Sequence, residues 1–194
     1  PLEPGDQSLE HARAGIAQSY DPCSCNSGKK FKFCCKPIFR EITEMMCAVE
    51  EGNFEKALRW LGEAKAKVGD TAEIACREAI IYTLSSPEEF KEKLREAIAK
   101  FPEHPRLHYV QGIEYRNAGD LEKSKESYLA AVERYPGTDK YRLNEVWNNL
   151  GTIYYDLEDF QSAKDAWEKA LGYMPMDEVC LLYTSDAADD IPRG

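Results

Sequence analysis

Cys23, Cys25, Cys34 and Cys35 stand together in one short stretch, "DPCSCNSGKKFKFCC", residues 21–35. Thiols that close together are seldom there for packing, and two chemistries compete for them. Disulfides within the set would close a Cys-x-Cys ring or a vicinal Cys-Cys ring. Both are strained, and the chain's seven cysteines are an odd number. A metal suits the set better, because four thiolates make a closed tetrahedral site with Zn–S bonds near ~2.3 Å. The eight residues between Cys25 and Cys34 are enough for a hairpin that returns the second pair to the first. Such a site carries two negative charges beyond those the ion neutralises. Lys29, Lys30 and Lys32 would offset them and favour thiolate over thiol. With four protein ligands no position is open for water or substrate, so a Zn2+ ion here would be structural.

"PCSCNSGKKFKFCC", residues 22–35, resembles the SEC-C motif. This small zinc module occurs at the C-terminus of the SecA translocase motor and in many other bacterial proteins. The resemblance gives Cys23, Cys25, Cys34 and Cys35 as zinc ligands. Asn26 stands where the family usually has Gly, and Cys35 where SecA has His. Asn is among the non-Gly residues that best tolerate positive φ, so the turn should survive, with Gly28 as a second flexible point. Phe31 is expected to cover the metal site as part of a tiny core. Phe33 is open to that role or to stacking on a partner. The patch of Lys29, Lys30, Lys32 and Phe33 is a candidate partner-binding surface. In SecA the similar module contacts an acidic export chaperone and the ribosome. The resemblance thus implies a cytoplasmic setting and a link to chaperones, translocation or translation.

Charge is unevenly spread over the 194 residues. The formal net charge is −10, yet residues 21–40 carry five Lys or Arg against one Asp, leaving −14 for the rest. An acidic body argues against wrapping by DNA. No apolar run approaches the roughly 20 residues of a membrane helix, and the given start has no charged-then-apolar pattern that would read as a secretory signal. Residue 1 is Pro, as in a piece of a longer protein. There is no Gly-rich phosphate loop, no nucleophile elbow and no isolated carboxylate pair, so an enzyme is not expected.

The elements that must carry the cysteine cluster are helical. "NEVWNNLGTIYYDLEDFQSAKDAWEKALGYMP", residues 144–175, contains Trp147, Leu150, Gly151 and Tyr154, followed by Ala163, Trp167, Ala170 and Pro175. It closely resembles a tetratricopeptide repeat, a helical hairpin with small residues where its helices cross. Thirty-nine residues earlier stand Gly112, Tyr115, Ser124, Tyr128, Ala131 and Pro136, with the extra residues near "GTDKYR" expected as an inserted loop. A degenerate unit carries Ile81, Phe90, Leu94, Ala97 and Pro102, with Glu78 at the glycine position, and another carries Ala48, Ala57, Leu61 and Ala64. The expected fold class is therefore all-α: a tetratricopeptide-like solenoid of about four hairpins over residues 37–177. A polar lead-in (1–20) and the zinc knuckle (21–36) precede it.

Tetratricopeptide solenoids bind peptides along the first helices of their hairpins. By that resemblance Tyr82, Arg106, Tyr109, Ile113, Arg116, Asn117, Asn148, Thr152 and Tyr155 form a candidate partner-binding concave face. The competing reading is an ordinary solvated face. His104 and His108 have metal spacing for one helix, but Pro105 between them is expected to start the helix, and His108 takes the packing place of Trp147. Cys47 and Cys76 read as buried small apolar residues. Residues 178–194 are expected to be a truncated end. Within them "CLLYTSDAADD", residues 180–190, resembles a translated sequencing adaptor, which marks the chain as a metagenomic fragment with no functional reading at Cys180, Tyr183 or Asp186. The reading that follows is a non-enzymatic zinc-binding adaptor for a protein or peptide. The alternatives are RNA or ribosome binding through the basic knuckle, or an accessory piece of a larger enzyme.

Overall fold

The computed structural model describes residues 19–175, apart from Ser24. Eight α-helices run in order: α1 (Phe39–Glu50), α2 (Phe54–Val68), α3 (Ala72–Ser85), α4 (Pro87–Lys100), α5 (Pro105–Asn117), α6 (Leu121–Arg134), α7 (Lys140–Asp156) and α8 (Phe160–Tyr173). Among the described residues there is no strand, only an isolated antiparallel bridge between Pro22 and Lys30. None of these helices is long and apolar enough to cross a membrane. The chain divides into two compact units between Phe101 and Pro102.

Local chemistry sets the helix starts. Asn53, Thr71, Asp120, Asp139 and Asp159 each accept a hydrogen bond from the backbone N–H three residues on. That satisfies a donor which the first turn leaves without an intrahelical partner. Pro87 and Pro105 open α4 and α5, where a missing N–H costs nothing. His104 thus lies before α5 and His108 within it, so they do not share a helix face. The His108 ring is instead 2.6 Å from the Pro102 carbonyl oxygen.

In the first unit, Ile42, Met45 and Ala48 of α1 meet Ala57, Leu61 and Ala64 of α2 and Ile74 and Ile81 of α3. A half-buried pair ties the hairpin from the side: exposed Lys67 Nζ of α2 donates to buried Glu41 Oε1 of α1 at 2.8 Å. In the second unit, Gly112 and Gly151 lie directly beneath buried aromatic rings. A Cβ on Gly112 would sit 2.6 Å from the Tyr128 ring, and one on Gly151 would sit 2.3 Å from Nε1 of Trp167. Ser124 takes the small place that Ala163 holds in the next hairpin, and its hydroxyl donates to the Gly112 carbonyl at 2.8 Å.

Two expectations need correction. The "GTDKYR" stretch is not all loop. Asp139 caps Arg142, so Lys140, Tyr141 and Arg142 form an extra first turn of α7. Cys76 is buried, but Cys47 is exposed. Buried Met45 and Ala48 flank it in sequence, and 100° per residue turns Cys47 out to solvent.

Candidate metal centre

The cysteine stretch folds as a compact knuckle held by its own backbone. Cys23 N–H donates to Lys29 O, Asn26 N–H to Cys23 O, and Phe31 N–H to Asp21 O, at 2.8, 2.9 and 2.9 Å. The turn needs two left-handed residues, and they are Asn26 (φ 56°) and Gly28 (φ 73°). The asparagine therefore supplies the positive φ that this turn requires. A 3-10 turn, Phe31–Phe33, presents Cys34 at its end, and a second, Lys36–Ile38, leads straight into α1.

These turns bring four sulfurs together. The Sγ atoms of Cys23, Cys25, Cys34 and Cys35 all lie within 4.8 Å of one another. Cys25 and Cys34 are 3.3 Å apart, and Cys34 and Cys35 are 3.9 Å apart. Bonds of ~2.3 Å in a tetrahedral site put neighbouring sulfurs about 3.8 Å apart, so the set could hold a metal ion with little adjustment. No disulfide joins any of the described cysteines. Cys23 and Cys25 are buried, Cys34 and Cys35 half-buried, and Ser27 Oγ lies 3.0 Å from Cys34 Sγ.

Hydrogen bonds from Cys25 and Cys35 pull Cys23 down to about 4, while the same contact with Cys23 and burial push Cys35 far up. A divalent cation is the partner that would make four thiolates compatible.

Around the cluster the surface is basic and aromatic. Lys29, Lys30 and Lys32 are exposed, and so is Phe33, at 66%. Lys32 Nζ donates to Tyr20 OH at 3.0 Å and lies 5.6 Å from the Phe33 ring centre. Phe31 is half-buried and meets Phe39 of α1 edge-on, with centroids 6.2 Å apart. Its neighbour is thus the first helix. Cys35 packs against the α1–α2 core, so the knuckle is fused to the first hairpin rather than tethered to it.

The residues expected on a concave face fare unevenly. Tyr82 of α3 is half-buried. In the second unit Tyr109 is buried, 5.7 Å from the Tyr128 ring, and its hydroxyl donates to Glu145 Oε1 at 2.9 Å. Tyr155 packs on Phe160 and Trp167. Both tyrosines are engaged between helices. Arg106 lies over Tyr109, and Arg116 is 4.0 Å from Asp156. Thr152 bonds the Asn148 carbonyl, which also accepts from Trp167 Nε1. Asn117 is exposed, and Ile113 half-buried. Sequence reasoning missed Arg142, Glu145 and Asn149, which join Tyr109 in one polar network. Glu145 lies three residues before Asn148, a helical neighbour on that face, and this spacing was the available signal.

Comparison with known proteins agrees with this architecture. Tetratricopeptide repeat families match residues 105–138 and 144–177. Neither match covers the knuckle. No functionally curated protein matches the chain in sequence. Among solved structures, Pseudomonas aeruginosa pilF superposes with a TM-score of 0.67 at 21% identity, over 78% of this chain and 68% of that one. The MamA protein gives 0.60 at 15% identity, over 79% and 81%. A tetratricopeptide repeat protein from Parabacteroides merdae gives 0.59 at 15%, over 79% and 59%. The α5–α6 and α7–α8 hairpins are therefore tetratricopeptide repeats, in the all-α fold of solenoid proteins built from such units.

Proposed function

We propose that the chain is a non-enzymatic adaptor in which a structural zinc knuckle and tetratricopeptide-like hairpins together hold a partner protein. One observation carries the reading. Four sulfurs converge on a site that could hold a metal, and the outside of that site is basic, aromatic and fused to the first hairpin. Zinc suits the all-thiolate donor set, and the absence of an open ligand position suits a structural rather than catalytic ion. Four closely placed thiols also suit a reducing compartment such as the cytoplasm. The resemblance to the SEC-C motif supports an acidic protein partner, of chaperone or ribosome-associated kind.

Metal analysis of freshly reduced protein tests the first half, with one zinc per chain expected. Cys25→Ser should lower the zinc content and loosen residues 21–36 while the helices stay folded. A metal-free wild-type protein would sink the knuckle. A nuclease-treated pull-down tests the second half. Partner proteins that survive nuclease support the adaptor. Partners lost with the RNA support the second reading, nucleic-acid binding, which the exposed Phe33 beside Lys32 favours.

A further inference from the structure

The helix α1 carries more apolar surface than its own hairpin covers. Ile42, Met45 and Ala48 face the core, but Phe39 and Met46 lie on the shoulder of the same apolar arc. They are exposed at 54% and 48%. Being seven residues apart, they sit one above the other, about 10 Å along the helix. Phe39 also meets Phe31 of the knuckle, so the shoulder continues onto the metal module. Five large hydrophobic side chains are exposed among the described residues, and four of them, Tyr20, Phe33, Phe39 and Met46, lie on the knuckle segment and α1. Scattered exposed hydrophobics are ordinary, whereas clustered ones mark an interaction surface.

Charge chooses the occupant. Lys29, Lys30, Lys32, Lys36 and Arg40 gather at the knuckle end, in a body that is otherwise strongly acidic. At the far end of α1 stand Glu50 and Glu51. A nucleic-acid backbone laid along the stripe would run from lysines onto these carboxylates, which repel it. A short amphipathic peptide meets both halves. Resting on the adaptor reading, we infer that the knuckle and α1 form one docking stripe for an amphipathic segment of a partner protein. The segment's acidic residues lie at the Lys29–Lys32 end, and apolar residues at helical spacing cover Phe39 and Met46. This moves the principal partner contact from Tyr109 and Tyr155, whose side chains are already engaged, to the exposed shoulder of α1.

The test is selection of a displayed library of random 12-residue peptides on the zinc-loaded full chain. Winners are remeasured as fluorescein-labelled peptides by anisotropy. Expected winners carry two or more Asp or Glu at one end and apolar residues three, four or seven apart in the rest. Phe39→Ser and Met46→Ser should each weaken them about tenfold, in the range of an interface hot spot. Both variants should keep full zinc content and helicity, and rising salt should weaken binding in the wild type. The stripe is overturned by winners indifferent to both substitutions, by an empty selection, or by poly(U) RNA binding that depends on Phe39 and Met46. It is also overturned if a synthetic peptide of residues 1–18 displaces the winners and they bind tightly only after that segment is removed, because the surface then belongs to the chain itself. Winners that ignore Phe39 and Met46 but fail with Arg116→Glu would overturn the stripe and leave the adaptor standing.

Discussion

Gly151→Ala adds one methyl group where the last hairpin is tightest. Its Cβ would lie 2.3–2.5 Å from three atoms of the Trp167 indole. That ring is fully buried and fixed by its Nε1 donating to the Asn148 carbonyl at 3.2 Å. Forcing an extra methyl into a closed core costs roughly 1–3 kcal/mol. Displacing the indole also gives up a hydrogen bond worth about 1 kcal/mol. Alanine's better helix propensity returns about 1 kcal/mol. The net loss is about 2 kcal/mol, or ~8–16 °C in the melting of a cooperative unit of ~60–100 residues. Repeat arrays need not unfold as one unit, so the readout must be local. Trp167 fluorescence in a Trp60→Phe, Trp147→Phe background supplies it. Gly62→Ala, read by hydrogen-exchange protection of α2, is the control. Gly62 lies within α2 with open space around its Cβ position, so alanine there should stabilise by up to ~1 kcal/mol. If both alanines stabilise, the close-approach argument is wrong.

Asn26→Gly should leave zinc content and knuckle stability intact, because φ of 56° suits glycine. Asn26→Val should cost ~1–2 kcal/mol and lower zinc affinity in a chelator competition. Asp159→Ala removes the acceptor for Ser162 N–H, and α8 should lose about 1 kcal/mol in hydrogen-exchange protection. Lys67 beside Glu41 holds that carboxyl below its usual value. A depressed acid stabilises above its ordinary range and stops doing so as pH falls through its folded value. Glu41→Gln should therefore destabilise the first hairpin to urea at pH 7, and the gap from wild type should close as pH falls through the carboxylate range. Reversing Lys29, Lys30 and Lys32 to Glu should weaken zinc binding and partner capture together, measured by metal content and pull-down, while circular dichroism stays unchanged.

Residues that fix the fold do so by volume, and volume is written in the residue type. Gly151 under Trp167 and Gly112 under Tyr128 could be placed from spacing alone, because only a small residue fits below a ring at that crossing. The same holds for the cysteines, where ring strain and donor chemistry leave few arrangements. The concave face was less legible. Position on a helix says which way Tyr109 points but not that Glu145 of another helix reaches its hydroxyl. Such pairing depends on how two helices cross. The exposed shoulder of α1 escaped for a related reason: Phe39 and Met46 look like core residues until the partner helices are seen to stop short of them.

Cys35 belongs to the sulfur cluster and also packs on the Ile38–Ile42–Met45 core. With the proposed ion bound, this shared residue would couple the sulfur cluster to the start of the first hairpin. Each tenfold rise in free metal above the dissociation constant adds about 1.4 kcal/mol to every structure that requires the bound form. The chemical potential of the metal would then act as a boundary condition on the knuckle and the entry to α1. When it falls, the knuckle and the Lys36–Ile38 turn would loosen first, with the helices still folded. A joint that loosens in step with metal supply would turn a structural ion into a gauge, read where Phe31 meets Phe39.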